Sequence, residues 1–301
     1  MAGHGCFTGN PTSTRTLGDI VWSWVAGLVT RVITVANQKG GVGKTTTTVN
    51  ISAALAQADH RVLVIDLDPQ GNASTALGVD HHEGVPGVYE VLTGEARLAE
   101  VMSPCPDVPG LYAVPATIDL AGAEIELVAQ VAREYRLARA IEALLADHER
   151  TGTRPLDYVI LDCPPSLGLL TLNGLVAARE LLLPIQCEYY ALEGLSQLLR
   201  TIDMVRTHLN PQIVVSAILL TMYDGRTRLA SQVADEVRTH FGAQVLDTVI
   251  PRSVRLSEAP SYAQTVMTYD PASPGAAAYR EAAAQLSAGQ DSTKLSTDIS
   301  L

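Results

Sequence analysis

The stretch NQKGGVGKTTTTVN, residues 37–50, constrains this chain of 301 residues more than any other. It follows the β-rich run RVITVA and leads into a segment whose Val49, Ile51, Ala54 and Leu55 share one covered helical face. Gly40, Gly41 and Gly43 allow close backbone approach and unusual dihedrals. Amides of such a loop, with the start of the helix behind it, receive phosphate oxygens. Lys44 is spaced to reach β- and γ-phosphates, and Thr45 to put its hydroxyl on Mg²⁺. An ordinary glycine turn has no need for glycine, lysine and hydroxyl together between a strand and a helix. The strict phosphate-loop pattern asks for glycine at position 38, but here Gln38 is followed by a second lysine, Lys39.

The rest of the chain repeats the strand-and-helix alternation. HRVLVIDLD, LYAVPAT, LDYVILD, ELLLPIQCE, QIVVSAILLTMY and AQVLDTVIP read as further strands. Their near-continuous apolar character fits a mostly parallel sheet covered on both faces. A long helix is expected over 124–148, others over 192–209 and 227–241, and a last one from 274–278 to Leu286. The fold class implied is α/β, doubly wound, with helices on both faces of the sheet. We divide the chain into an N-terminal extension 1–30 with one accessory helix, a single domain 31–286 and a polar tail 287–301. An apolar fraction of 47% supports a substantial core. Cys6, Cys105, Cys163 and Cys187 are scattered, with no C-x-x-C pair to suggest zinc or redox chemistry. The apolar run DIVWSWVAGLV is too short to span a bilayer.

Carboxylates supply the second half of a phosphate site. Asp66 and Asp68 stand at the end of one strand and Asp162 at the end of another. A carboxylate there holds a divalent ion directly or through water. Asp162 best suits the metal role. Of Asp66 and Asp68, one helps hold Mg²⁺ while the other places the attacking water.

KGGVGKTTTTVN, VLVIDLDPQGNAS and VILDCPPSLGLLTLN resemble the ParA/Soj group of deviant Walker-type partitioning ATPases. PIQCEYYALEG, ILLTMYDGRTRLASQVADEV and VIPRSVRLSEAPSYAQTVMTYDPASPGAAAYREAA extend the resemblance to about residues 32–286. It implies an ATP- and Mg²⁺-dependent hydrolase of the P-loop class. Nucleotide contacts are implied for Lys39, Gly40, Gly41, Val42, Gly43, Lys44, Thr45, Thr46, Asp68 and Pro251. Thr45, Asp66 and Asp162 would serve the metal. Lys39, Lys44 and Asp68 are the catalytic set, with Asp68 supporting water attack. Lys39 resembles the signature lysine that crosses to the nucleotide of the facing subunit, so a homodimer across ATP is implied. The distinct arrangement of that loop also accounts for Gln38.

A formal charge of −11 argues against wrapping nucleic acid over the whole surface, yet 221–260 is charge-balanced. The resemblance implies non-specific DNA binding by the dimer, with Arg226 and Arg255 as contacts, and a ParB-like centromere-binding partner that stimulates slow turnover. It also implies a cytoplasmic, nucleoid-associated protein without stable membrane insertion. Ser253 stands where many relatives have asparagine. The alternatives are a MinD-like membrane-associated positioning ATPase and an iron–sulfur reductase invited by Cys163. Against the first, the C-terminal end lacks an aromatic or basic membrane anchor.

Overall fold

In a computed structural model, residues 30–188 and 193–289 are described. The expected N-terminal extension, but for Thr30, and the polar tail, but for 287–289, lie outside them. The strands are β1 (Arg31–Val35), β2 (Val62–Asp66), β3 (Ser103–Pro104), β4 (Leu111–Val114), β5 (Tyr158–Asp162), β6 (Glu180–Gln186), β7 (Val214–Tyr223) and β8 (Val245–Pro251). They form one sheet of order β3-β4-β2-β5-β1-β6-β7-β8, parallel except for the antiparallel edge pair β3–β4.

Alternation along the strands divides two cores. Val32, Leu63, Ile65, Val159 and Leu161 face one layer of helices. Ile33, Val35, Val62, Val64 and Ile160 face the other. Helix α1 (Lys44–Gln57) and the late helix 274–288 pack on the second face, where Ile51, Leu55, Tyr279 and Leu286 are buried. Between β2 and β5 lie α2 (Asn72–Ala76), α3 (Val88–Thr93), α4 (Leu98–Val101), α5 (Leu120–Glu126) and α6 (Arg136–Thr151). Then follow α7 (Leu169–Ala177), α8 (Glu193–His208), α9 (Arg228–Phe241), α10 (Val254–Glu258), α11 (Val266–Tyr269) and α12 (Pro274–Ala288). Thr227 caps α9 by accepting from the Ala230 amide, and Ser273 caps α12 by accepting from Ala276.

The long helix expected over 124–148 is two helices. Gln130 is extended and Ala132 is left-handed at φ 54°. Asn173 of α7 serves the new helix start: its Nδ2 donates to the Arg133 carbonyl at 3.0 Å and its Oδ1 accepts from the Leu137 amide at 3.2 Å. No glycine or proline marks this break, and its cap comes from another part of the chain.

The strand order reverses around β1. From β1 the chain crosses to β2 beyond β5, and from β5 it crosses to β6 on the other side of β1. Open α/β sheets bind ligands at the carboxyl ends of the strands where the order reverses. Helix α7 must approach this point closely. Thr34 Oγ1 donates to the Gly174 carbonyl at 2.7 Å, and a Cβ on Gly174 would stand 2.8 Å from Cys163 Sγ. Gly174→Ala is therefore expected to destabilise the fold by about 2 kcal/mol through overpacking. Urea denaturation checks this as a lower midpoint at an unchanged slope.

Candidate active site

Three adjacent parallel strands end level with one another. Val35 of β1 and Asp66 of β2 are both in register with Asp162 of β5. The loop 37–43 leaves β1 at this point and is pinned from two sides. Asn37 Nδ2 donates to the Pro184 carbonyl of β6 at 2.8 Å, while its Oδ1 accepts from the Lys39 amide at 3.0 Å. Thr221 of β7 donates from Oγ1 to the Val42 carbonyl at 2.8 Å. Gly41 and Gly43 have φ of 73° and 87°, values a side chain would strain, and Gly43 opens α1. The first amides of α1 and the loop thereby form an anion cradle of backbone N–H groups.

The four threonines of α1 have separate surroundings. Thr45 and Thr48, one turn apart, both donate to Asp162: Thr45 Oγ1 to Oδ2 and Thr48 Oγ1 to Oδ1, each at 2.7 Å. Thr47 meets the Tyr279 hydroxyl at 3.3 Å on the opposite side. Thr46 is half-buried, and its carbonyl accepts from Asn50. Lys44 is buried, with Nζ donating to the Lys39 carbonyl at 3.3 Å. Desolvation lowers its pKa against the opposing pull of Asp162, Cys163 and Asp68.

Asp66, fully buried, accepts from the Ser74 amide at 2.9 Å, the Ser74 hydroxyl at 2.8 Å and the Asp68 amide at 3.1 Å. Its oxygens thus organise the loop that carries Asp68. Asp68 itself accepts from the Gln70 amide at 3.0 Å. Burial is the main cause that raises the pKa of both Asp66 and Asp162. The Asp162 charge adds to it at Asp66; at Asp162 the hydrogen bonds of Thr48 and Thr45 oppose it.

Lys39 stands at the rim. Its Nζ lies 3.5 Å from Glu188 Oε2, with the side chain 36% exposed. Glu188 also accepts from Gln186 and lies 3.7 Å from Arg252 Nη2. Pro251 ends β8 opposite Tyr223 of β7. Arg226 is bound by both oxygens of Asp224, at 2.9 and 2.8 Å, and Arg255 is paired with Glu258 at 3.2 Å and Asp270 at 3.4 Å. Both arginines thus sit in ion pairs with neighbouring acids.

Sequence reading missed Asn37, Thr48, Ser74 and Thr221. Only Thr48 carried a signal: it lies three residues after Thr45 on the same helix face. Cys163 is fully buried, and burial raises its thiol pKa above the ordinary range. It fits an inert core thiol better than a cluster ligand.

The AAA domain family model matches residues 30–215. The sporulation initiation inhibitor protein Soj of Bacillus subtilis is 50% identical over 258 residues, 86% of this chain and 98% of that protein. This chain belongs to the ParA/Soj family of chromosome-partitioning ATPases. The chromosome-partitioning ATPase Soj of Thermus thermophilus is also 50% identical, with 86% of this chain and 96% of that protein covered. Cobyrinic acid a,c-diamide synthase from Mycobacterium smegmatis, solved with a bound ATP analogue and magnesium, matches with a TM-score of 0.74 at 42% identity. It covers 88% of this chain and 97% of its own. The cell division ATPase MinD of Pyrococcus furiosus gives a TM-score of 0.70 at 25% identity, over 86% of this chain and 99% of that one. Membership of the family fixes the P-loop fold class expected from the sequence.

The buried carboxylates set a pH dependence. Their folded pKa values lie above the unfolded value near 4, reaching about 7 at Asp66. Between those limits the folded state holds protons that the unfolded state has lost, so stability falls as pH rises. Thermal melts of the ligand-free chain are expected to give a lower Tm at about pH 7.5 than at about pH 5.5. Asp66→Asn should flatten that difference.

Proposed function

We propose that this chain is a Mg²⁺-dependent partition ATPase whose nucleotide is shared between two copies. One observation carries the reading: the glycine loop, Lys44, Thr45 and the carboxylates of Asp66, Asp68 and Asp162 meet at the ends of three neighbouring strands. The partition relatives support it further, being 46–50% identical over most of their own length.

The residues fit ATP with Mg²⁺. The loop offers a cradle of amides, and the Thr45 hydroxyl already points to a carboxylate oxygen, the donor type a hard cation prefers. Among the described residues no cluster of three or more His, Cys, Asp or Glu side chains could hold a metal by itself. That accords with an ion that arrives with phosphate oxygens as ligands. Thr45 and Asp162 would hold Mg²⁺ directly or through water, with Asp66 supporting its waters. When bound, the ion neutralises charge on the β- and γ-phosphate oxygens.

Around it, the chain's own groups do the rest. The loop amides and Lys44 oppose charge on the transferred phosphoryl group. Asp68 orients the attacking water. Lys39, exposed at the rim, serves the nucleotide of the facing copy. The remaining nucleotide contacts are those of Gly40, Gly41, Val42, Gly43, Thr46 and Pro251. A ligand contacted by two chains favours their association, so hydrolysis releases the dimer.

In this reading the ATP dimer binds DNA without sequence preference and associates with the nucleoid. Arg226 and Arg255 exchange their local acids for phosphates, and a ParB-like partner stimulates turnover. Two surfaces that each bind weakly, joined by ATP, bind where one does not. No helix among the described residues is long and apolar enough to cross a membrane.

The deciding experiment is DNA retention and light scattering in ATP, in ADP and without nucleotide. Dimers and salt-sensitive DNA binding in ATP alone are expected; equal behaviour in all three states would sink the reading. Lys39→Ala is expected to lose the ATP dimer while its melting curve stays near wild type. Asp68→Ala should keep ATP binding and lower kcat by about a hundredfold or more. Steady-state turnover at the wild-type rate would remove Asp68 from its role.

A further inference from the structure

A groove of about 490 Å³ opens at the end of α1 away from the nucleotide loop, between the last turns of α1 and α12. Ala54, Leu55 and Ala58 line one side of it, and Ala283, Ala284 and Ala288 the other. Alanine on both helices leaves a space that longer side chains would have filled. Arg280 stands at its edge, but its Nη2 donates to the Pro271 carbonyl at 2.8 Å. The groove is therefore mostly apolar and suits an apolar occupant.

The chain enters the domain beside this groove. Thr30, buried just ahead of β1, donates from Oγ1 to the Leu156 carbonyl at 2.6 Å. Arg31 Nη1 donates to the Leu286 carbonyl of α12 at 2.7 Å, and its guanidinium lies 5.4 Å from the centre of the Tyr158 ring. The Tyr158 ring also meets the His60 ring edge-on at 5.2 Å, and its hydroxyl donates to Ser287 Oγ at 3.2 Å. His60 and Ser287 both line the groove. A single side chain, Tyr158, thus bridges the start of β1 and the groove.

The residues just before Thr30 are the apolar run DIVWSWVAGLV, 19–29. Eight of its eleven residues are apolar, and it holds both tryptophans of the chain, Trp22 and Trp24. The matching family model begins at residue 30, so it does not account for this run. As a helix the run would be about 16 Å long, against about 12 Å of α12 along the groove from Arg280 to Ala288. Indole rings bring a large apolar area to a space framed by alanines. Two other pairings fit the composition less well. A helix lying on a membrane surface carries lysines and arginines on its polar face, and Arg15 is the only such residue in 1–29. The tail 290–301 follows α12 closely, but its large apolar residues are only Leu295, Ile299 and Leu301.

We propose that the run 19–29 folds back onto its own domain and docks in the groove between α1 and α12, with Trp22 and Trp24 against the alanines. It then extends the core to which Ala54, Leu55 and Ala283 belong. This role stands apart from the nucleotide chemistry, which lies at the other end of α1.

Trp22 and Trp24 are the chain's only tryptophans, so intrinsic fluorescence of the full chain reads the run directly. The expected emission is blue-shifted, weakly quenched by acrylamide and independent of protein concentration. Ala284→Glu puts a carboxylate on an exposed wall of the groove and keeps a good helix former there. Its emission should move to the red and its quenching should rise, while the far-UV circular dichroism spectrum and a cooperative melt persist. Ala58→Glu makes the same test from the facing wall should the first variant fail to fold.

Wild-type tryptophans that emit and quench as in water would overturn the proposal, and a blue shift appearing only with anionic phospholipid vesicles would assign the run to a membrane surface instead. Unchanged emission in folded Ala284→Glu and Ala58→Glu chains would also overturn it. So would a blue shift that fades on dilution, since the run would then dock on a second copy.

Discussion

A buried carboxylate, Asp162, fastens the start of α1 to the sheet. It sits at the end of a central strand with no exposed surface, and both its oxygens are occupied by hydroxyls of one helix turn. A charge so placed is costly unless hydrogen-bonded, and Thr45 and Thr48 meet that need. The same bonds set the rotation of α1 and therefore the aim of its first amides. Asp66, level with Asp162 on the neighbouring strand, adds a second buried carboxyl, and the two raise the electrostatic cost of the ligand-free site. A cation that arrives with phosphates relieves that stress. The site is thus set for ion and nucleotide together.

Everything else positions this contact. Two cores of alternating strand residues hold β1, β2 and β5 side by side with their ends level. Asn37 and Thr221 stake the loop to the strands on the far side of β1. Gly174 lets α7 lie close behind Cys163 and Leu67. The loop is therefore rigid where it must cradle phosphate, while Lys39, exposed at its rim, is held only by a partly exposed ion pair with Glu188. Such pairs contribute little, so Lys39 can leave Glu188 at small cost.

The seven parallel strands were legible because a parallel sheet covered on both faces writes itself as short, continuous apolar runs; the exposed two-residue edge strand β3 carries no such run and was not. The meeting of Thr45 with Asp162 was legible because a hydroxyl at the start of the helix and a carboxylate at the end of a neighbouring strand follow from the residue types and spacing that phosphate chemistry asks for. The break at 130–135 was not, since Ala132 adopts a left-handed conformation that its side chain does not advertise, and Asn173 supplies the cap from forty residues on. Thr221 and Ser74 were hidden for a similar reason. Each acts on a segment remote in sequence, and a lone hydroxyl in a strand or helix carries no mark of its partner.

The central claim is that the two lysines of the loop have different owners: Lys44 serves the nucleotide of its own chain, and Lys39 that of the facing copy. A crystal structure of the Asp68→Ala chain with Mg²⁺ and ATP tests it most directly. The account predicts a dimer in which Lys39 Nζ has left Glu188 and contacts phosphate bound to the other copy. A nucleotide-loaded chain whose Lys39 stays on Glu188, or turns to its own ATP, would contradict it.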